Sequence, residues 1–188
     1  MGKSKAPFKI LGIAGSVRRA SYNRGLLREA VKLAPEGVEI ETFEIGDIPP
    51  FNQDLEAKPP EVVARLKAAI RAADALLICT PEYNYSVPGL LKNAIDWASR
   101  PYGDSALTHK AVGLMGATIG ISGTARAQAA LRQSCVFNDA YCMAQPEVLV
   151  TNCTDKFDEN GNLTDEDTRE HVRSGLVALV AWARQVTA

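Results

Sequence analysis

No stretch of this 188-residue chain comes near the roughly 20 consecutive apolar residues that a helix needs to cross a bilayer. MGKSKAPFKI runs into strand-like sequence with no apolar leader ahead of it. Neither sign of charge dominates: 21 basic residues stand against 22 acidic ones, a formal net charge of −1. So weak an overall field argues against nucleic acid as a partner, and against a strongly acidic electron carrier that docks on basic patches. Only two histidines occur, His109 and His171, far apart and without acidic or cysteine companions at ligand spacing, so no metal site is expected. The four cysteines (Cys79, Cys135, Cys142, Cys153) make no CxxC pair and lie in apolar or strand-like segments. That speaks against a disulfide framework and for a reduced, cytoplasmic setting. The phosphate-loop signatures GxxxxGK[ST] and GxGxxG are both absent.

What is present is alternation. Apolar strand-like runs at Phe8 to Ala14, Asp74 to Thr80 (DALLICT) and Ala111 to Ala117 read as strands buried on both faces. Val38, Ile40 and Thr42 alternate with Glu39 and Glu41, as on a half-exposed strand near a sheet edge. Glu147 to Thr151 is a short last strand. Between them, apolar residues recur at helical spacing: Leu26 to Ala34 up to Pro35, Val62 to Ala73 behind Pro60, Leu90 to Ala98, a helix from about Ala125, and a closing helix over Val172 to Val186. Five strand–helix units, with right-handed crossovers, predict a doubly wound α/β fold: a five-stranded parallel sheet in the order 2-1-3-4-5, flavodoxin-like, in a single domain over residues 1–188. Ligands of such sheets bind beyond the carboxyl ends of the strands where the winding reverses, between strands 1 and 3.

Two unusual loops leave those strands. GSVRRASYN (15–23) has Gly15 for a tight turn, hydroxyl and amide groups on Ser16, Ser21 and Asn23, and positive charge on Arg18 and Arg19, ahead of a helix whose positive end faces the loop. That is a composition for an anion. TPEYNYSVPG (80–89) crowds two tyrosines, an asparagine, a glutamate and two prolines onto one turn, where a flat heterocycle would lie above the anion site.

GSVRRASYN, TPEYNYSVPGLLKNAIDWAS and ATIGISGTARAQAALRQ together resemble the NAD(P)H-dependent FMN reductase family, specifically its bacterial quinone and chromate reductase branch, over most of the chain. The resemblance implies that Ser16, Arg18, Ser21 and Asn23 hold the FMN phosphate. It implies that Pro81, Glu82, Tyr83, Asn84, Tyr85 and Ser86 line the ribityl chain and the ring, and that Thr118 stands beside the flavin. It also implies tightly bound FMN, NADPH or NADH as co-substrate, a small-molecule electron acceptor (quinone, flavin or a metal oxyanion such as chromate), and a homodimer or homotetramer, with no nucleic acid or membrane partner. No catalytic acid or base is expected, because the flavin carries the difficult step. One departure stands out: Gly123-Thr124 occupies the place where relatives often carry two glycines. The reading from a different class is a flavodoxin-like single-electron carrier on the same sheet.

Other residues read as structural. KFDENGNLTDED (156–167) resembles a calcium loop, but Lys156 and Asp167 occupy ligand positions that call for Asp and Glu, so a solvated turn is expected. Asp96, Trp97 and the buried Cys79 read as core or helix members. Arg100, after the Trp97 helix, is read as a helix-end charge slightly ahead of a substrate-side charge at the open flavin face.

Overall fold

The computed structural model describes residues 6–187; the first five residues and Ala188, at the ends of the expected domain, lie outside them. Strands β1 (Phe8–Ala14), β2 (Val38–Phe43), β3 (Ala75–Cys79), β4 (Ala111–Ala117), β5 (Tyr141–Cys142) and β6 (Val148–Val150) alternate with helices α1 (Tyr22–Lys32), α2 (Glu61–Ala72), α3 (Gly89–Ala98), α4 (Ala125–Phe137) and α5 (Glu166–Val186). All pairings are parallel, in the order β2-β1-β3-β4-β5, with β6 also on β4.

Side chains of the central strands point alternately to the two faces. Ile10, Ala75, Leu77, Cys79, Ala111 and Met115 pack with Leu26, Leu27, Val172, Leu176 and Leu179 from α1 and α5. Leu11, Ile13, Leu76, Ile78, Val112 and Leu114 pack with Val63, Leu66, Leu91, Trp97 and Leu131 from α2, α3 and α4. Covering both faces removes the polar positions a one-sided sheet would keep, which is why β3 and β4 are apolar throughout. Every βα loop therefore emerges on one edge of the sheet.

Three sequence expectations are revised. The last strand is two strands: Tyr141–Cys142 pairs with the start of β4 and Val148–Val150 with its end, while Pro146, lacking an N–H, lies in the break. The closing helix starts at Glu166 rather than Val172, because Asp165 accepts from the Thr168 N–H and caps a polar first turn ahead of the apolar stripe. Residues 156–167 do form a turn, but one docked on α1. The Asp158 carboxylate accepts from the Asn162 N–H (2.8 Å), Asn162 Nδ2 (3.0 Å) and the Asn160 N–H (2.9 Å), which hold its pKa below the ordinary value. Its charge is answered first by these amides, with Arg28 adding a smaller attraction. Arg28 of α1 donates to the Gly161 carbonyl at 2.9 Å, and a Cβ on Gly25 would stand 1.8 Å from that oxygen, so α1 carries a glycine where the turn rests on it.

No helix among the described residues is long and apolar enough to cross a membrane, and no group of three or more metal-ligating side chains is present among them.

Candidate functional site

Three loops converge at the carboxyl ends of β1, β3 and β4. They are tied by backbone: the Gly15 N–H donates to the Cys79 carbonyl (2.8 Å), the Thr80 N–H to Met115 (2.9 Å) and the Thr118 N–H to Val150 (3.0 Å).

In the first loop Ser16 is buried and its Oγ accepts from the Arg18 N–H (3.3 Å). Ser21 caps α1, accepting from the Arg24 N–H. Arg18 and Arg19 are exposed, and the Arg18 guanidinium lies 5.7 Å from the Tyr22 ring centroid. The first turn of α1 contains no acidic residue, so its positive end is left to whatever anion the loop holds. Asn23 is placed differently from the other anion candidates. Its Nδ2 donates to the Ala117 carbonyl and its Oδ1 accepts from the Ala117 N–H, both at 2.9 Å. The side chain joins α1 to the end of β4, and what Asn23 directs at the loop is its backbone N–H near the helix start.

The second loop contains a two-residue hairpin. The Tyr83 N–H donates to the Ser86 carbonyl (3.1 Å) and the Ser86 N–H to the Tyr83 carbonyl (2.9 Å), with Asn84 at φ 50° and Tyr85 at φ 63°. Two consecutive left-handed residues are what a type I′ turn requires. Asn accepts that conformation readily; a tyrosine there costs on the order of 1 kcal/mol, a cost that concentrates at ligand-holding segments. Tyr83 and Tyr85 are 52% and 72% exposed, standing out from the sheet edge. Pro81 is buried behind them.

Glu82 faces away from the hairpin. Its carboxylate, 7% exposed, accepts from the Arg126 N–H (3.0 Å), the Ala127 N–H (3.3 Å) and Arg126 Nε (2.8 Å). It supplies the cap that Thr124, at φ 70°, does not give to α4. Arg126 then lies 3.8 Å from the Tyr85 ring centroid, so one carboxylate ties the second loop to the third. Thr118 opens that third loop, its Oγ1 accepting from the Gly120 N–H at 3.4 Å, with Ile119 and Ile121 exposed beyond it.

Arg100 is not brought to these loops within the chain. The ten residues of α3 rise about 15 Å, carrying Arg100 toward the other edge of the sheet. There it pairs with Glu56 at 2.5 Å, lies over Tyr102 (4.0 Å to the ring centroid), and its carbonyl accepts from the Lys67 ammonium. The Glu56 hydrogen bond holds its pKa above the ordinary arginine value.

A family model described as NADPH-dependent FMN reductase matches residues 8–155. The chain belongs to the NADPH-dependent FMN reductase family. It is 48% identical over 179 residues to an "NAD(P)H-dependent FMN reductase" of Pseudomonas aeruginosa, covering 95% of this chain and 96% of that protein. It is 42% identical over 176 residues to a "2-hydroxy-1,4-benzoquinone reductase" of a Burkholderia species, covering 94% and 96%. Among solved structures it superimposes on the flavoenzyme NAD(P)H:(acceptor) oxidoreductase FerB of Paracoccus denitrificans with a TM-score of 0.87 at 37% identity, covering 95% and 98%.

In this FMN reductase family member, Arg126 and Gln128 were not singled out by the sequence, although both lie in the quoted segment ATIGISGTARAQAALRQ. Gln128 is fully buried and donates to Thr124 Oγ1 (3.3 Å) and to the Val148 carbonyl (3.2 Å), fixing the third loop to β6. The signal for Arg126 was its place two residues after Thr124, at the start of the helix that follows the departure from the family pattern. The buried amide of Gln128 gave none, since a helix places polar residues on either face.

Proposed function

We propose that this chain binds FMN across the three loops and uses NADPH or NADH to reduce a small-molecule acceptor of the quinone class, with free flavins and metal oxyanions such as chromate as further acceptors. The observation that carries this reading is the contrast between helix starts on one edge. The α4 N-terminus is filled by Glu82 and that of α5 by Asp165, whereas α1 and α3 start without an acid, and of these α1 stands beside two exposed arginines and the buried Ser16. An open helix dipole with two cations fits a phosphate. The exposed tyrosine hairpin across the winding reversal fits a flat ring.

On this reading Ser16, Ser21, Arg18 and the backbone of Asn23 hold the phosphate. Pro81, Tyr83, Asn84, Tyr85 and Ser86 form the shelf for the ribityl chain and ring, Glu82 keeps that shelf against α4, and Thr118 borders it. FMN supplies the redox chemistry when bound, accepting a hydride from the reduced nicotinamide and passing electrons to the acceptor. The chain's own contribution is position. The strained hairpin is fixed before binding by its paired hydrogen bonds, so little ordering remains to be done when ligands arrive. Purified protein is expected to be yellow and to consume NADPH or NADH over many turnovers per chain with a benzoquinone present. A colourless preparation that takes up no FMN would overturn the reading, and flavin without turnover would make the protein a carrier.

Arg18→Ala removes a charge-assisted contact of roughly 1.5–3 kcal/mol and is expected to weaken FMN about ten-fold or more, measured by equilibrium dialysis. Arg100→Ala separates its two readings. It is expected to lower the melting temperature, leaving Glu56 without its partner, while chromate and quinone turnover change by the same factor; a KM rise confined to chromate at low salt would return Arg100 to the substrate side.

We infer an assembly of two or four copies of this single-domain chain in the cytoplasm. Val136 and Phe137, 81% and 73% exposed, support it, as does a groove of about 480 Å³ between α3 and α4 lined by Ser86, Val87, Ile95 and Phe137. Sedimentation is expected to show no monomer at working concentration.

A further inference from the structure

Of the four cysteines, two are sealed and two are half-buried at the junction of α4 and β5. Cys79 in β3 is fully buried, and burial drives its thiol far above the ordinary range. Cys153 is also fully buried and is pushed up to about 11 by desolvation. Neither offers a thiolate. Cys135, in the last turn of α4, and Cys142, on β5, are only half-buried. The chain reverses between them: the Asn138 and Ala140 N–H groups both donate to the Cys135 carbonyl (3.1 and 2.9 Å), and Asp139 takes φ 52°. That reversal lays Cys142, in register with Val112 of β4, against the end of α4, and both cysteines pack on the same apolar cluster. The Cys142 thiol donates to the Met143 carbonyl at 3.9 Å, and each of the two thiols shifts the ionisation of the other.

We propose that Cys135 and Cys142 are an oxidation site, a thiol pair that hydrogen peroxide closes to an intramolecular disulfide between α4 and β5. The two sulfurs have distinct parts. The neighbouring Cys135 lowers the pKa of the Cys142 thiol, while Cys142, then burial, raises that of Cys135. Arg132, one turn earlier on α4 and 3.5 Å from Glu147, adds positive potential beside both sulfurs. Cys142 is therefore the thiolate that attacks and Cys135 the thiol that resolves.

The Cys142 thiolate attacks one peroxide oxygen, the O–O bond breaks, and hydroxide leaves and takes a proton to become water. Cys142 is then a sulfenic acid. Cys135, giving up its proton, attacks the sulfenic sulfur; the S–O bond breaks and the second oxygen leaves as water. Two thiols and one peroxide give one disulfide and two waters, with two electrons passing from sulfur to oxygen. The bond closes a short loop over residues 136–141, which carries the exposed Val136 and Phe137. It fastens the C-terminal turn of α4, the helix whose first turn holds Glu82 of the candidate site.

The test uses the full chain, folded, with hydrogen peroxide, followed by alkylation, digestion by trypsin and chymotrypsin, and mass spectrometry. Cleavage after Phe137 and Tyr141 separates the two cysteines. The expected result is a Cys135–Cys142 linked pair of peptides, with Cys79 and Cys153 alkylated, reversed by a dithiol. In Cys135→Ser the expected product is a sulfenic acid on Cys142, trapped as its adduct with a 1,3-dione; in Cys142→Ser no linked pair forms. Both cysteines remaining alkylated after excess peroxide would overturn the proposal. So would a dione adduct on Cys153 in place of Cys142, or a linkage only between two chains. These readouts are independent of flavin and turnover, so failure here leaves the proposed reductase activity standing, and the reverse.

Discussion

Asn23→Ala is expected to destabilise the fold by about 2–5 kcal/mol, because it strips partners from two buried backbone groups at once, each worth roughly 1–3 kcal/mol when left unpaired. The Ala117 N–H and carbonyl stand at the end of β4, where no further strand residue is available to take them, and the asparagine amide answers both at 2.9 Å. Urea unfolding read by circular dichroism should show a lower midpoint with an unchanged slope. Asn23→Asp discriminates the cause: its carboxylate still accepts from the Ala117 N–H but meets the carbonyl with like polarity. That variant's stability should rise as pH falls and a protonated carboxyl becomes a donor again. A loss of FMN affinity in Asn23→Ala with unchanged stability would instead make the side chain a phosphate ligand.

Gly116→Ala is expected to cost about 3 kcal/mol, at the upper end of overpacking, and to loosen the proposed flavin shelf. A Cβ at position 116 would stand 1.8 Å from Thr124 Oγ1 and 2.7 Å from the Thr80 carbonyl oxygen. The first contact can move only by displacing a buried left-handed threonine, and the second is backbone of the loop that carries the tyrosine hairpin. Thr124→Gly supplies the control. It removes Oγ1 and suits φ 70°, relieving on the order of 1 kcal/mol of strain while giving up the side chain's packing. In a double-mutant cycle it should recover a large part of the Gly116→Ala loss, with a coupling of about 1 kcal/mol or more. Additive effects would show that the third loop is not pressed against Gly116.

The sheet was legible because its cause is local and repeated. Apolar runs with no polar positions, separated by helical stripes, leave few arrangements besides a doubly wound parallel sheet. The two site loops were legible because glycine, proline, arginine and tyrosine were concentrated at strand ends, where the winding reversal gathers loops. The left-handed cost of Thr124 was half visible in the same way, as a threonine where two glycines are usual. What the sequence alone left open are pairings made across long separations. Asn23 and Ala117 lie 94 residues apart and Glu82 and Arg126 44 apart. Whether such a polar side chain meets a ligand, a backbone group or solvent depends on strand register and on how closely the helices approach. The tertiary structure bonded the Asn23 amide to the end of β4, and the Glu82 carboxylate to the start of α4. It carried Arg100, the residue after the TPEYNYSVPGLLKNAIDWAS motif, the length of α3 away from the site loops. It also laid Cys135 beside Cys142, because the α4–β5 reversal is set by hydrogen bonds to a single carbonyl that no periodicity announces.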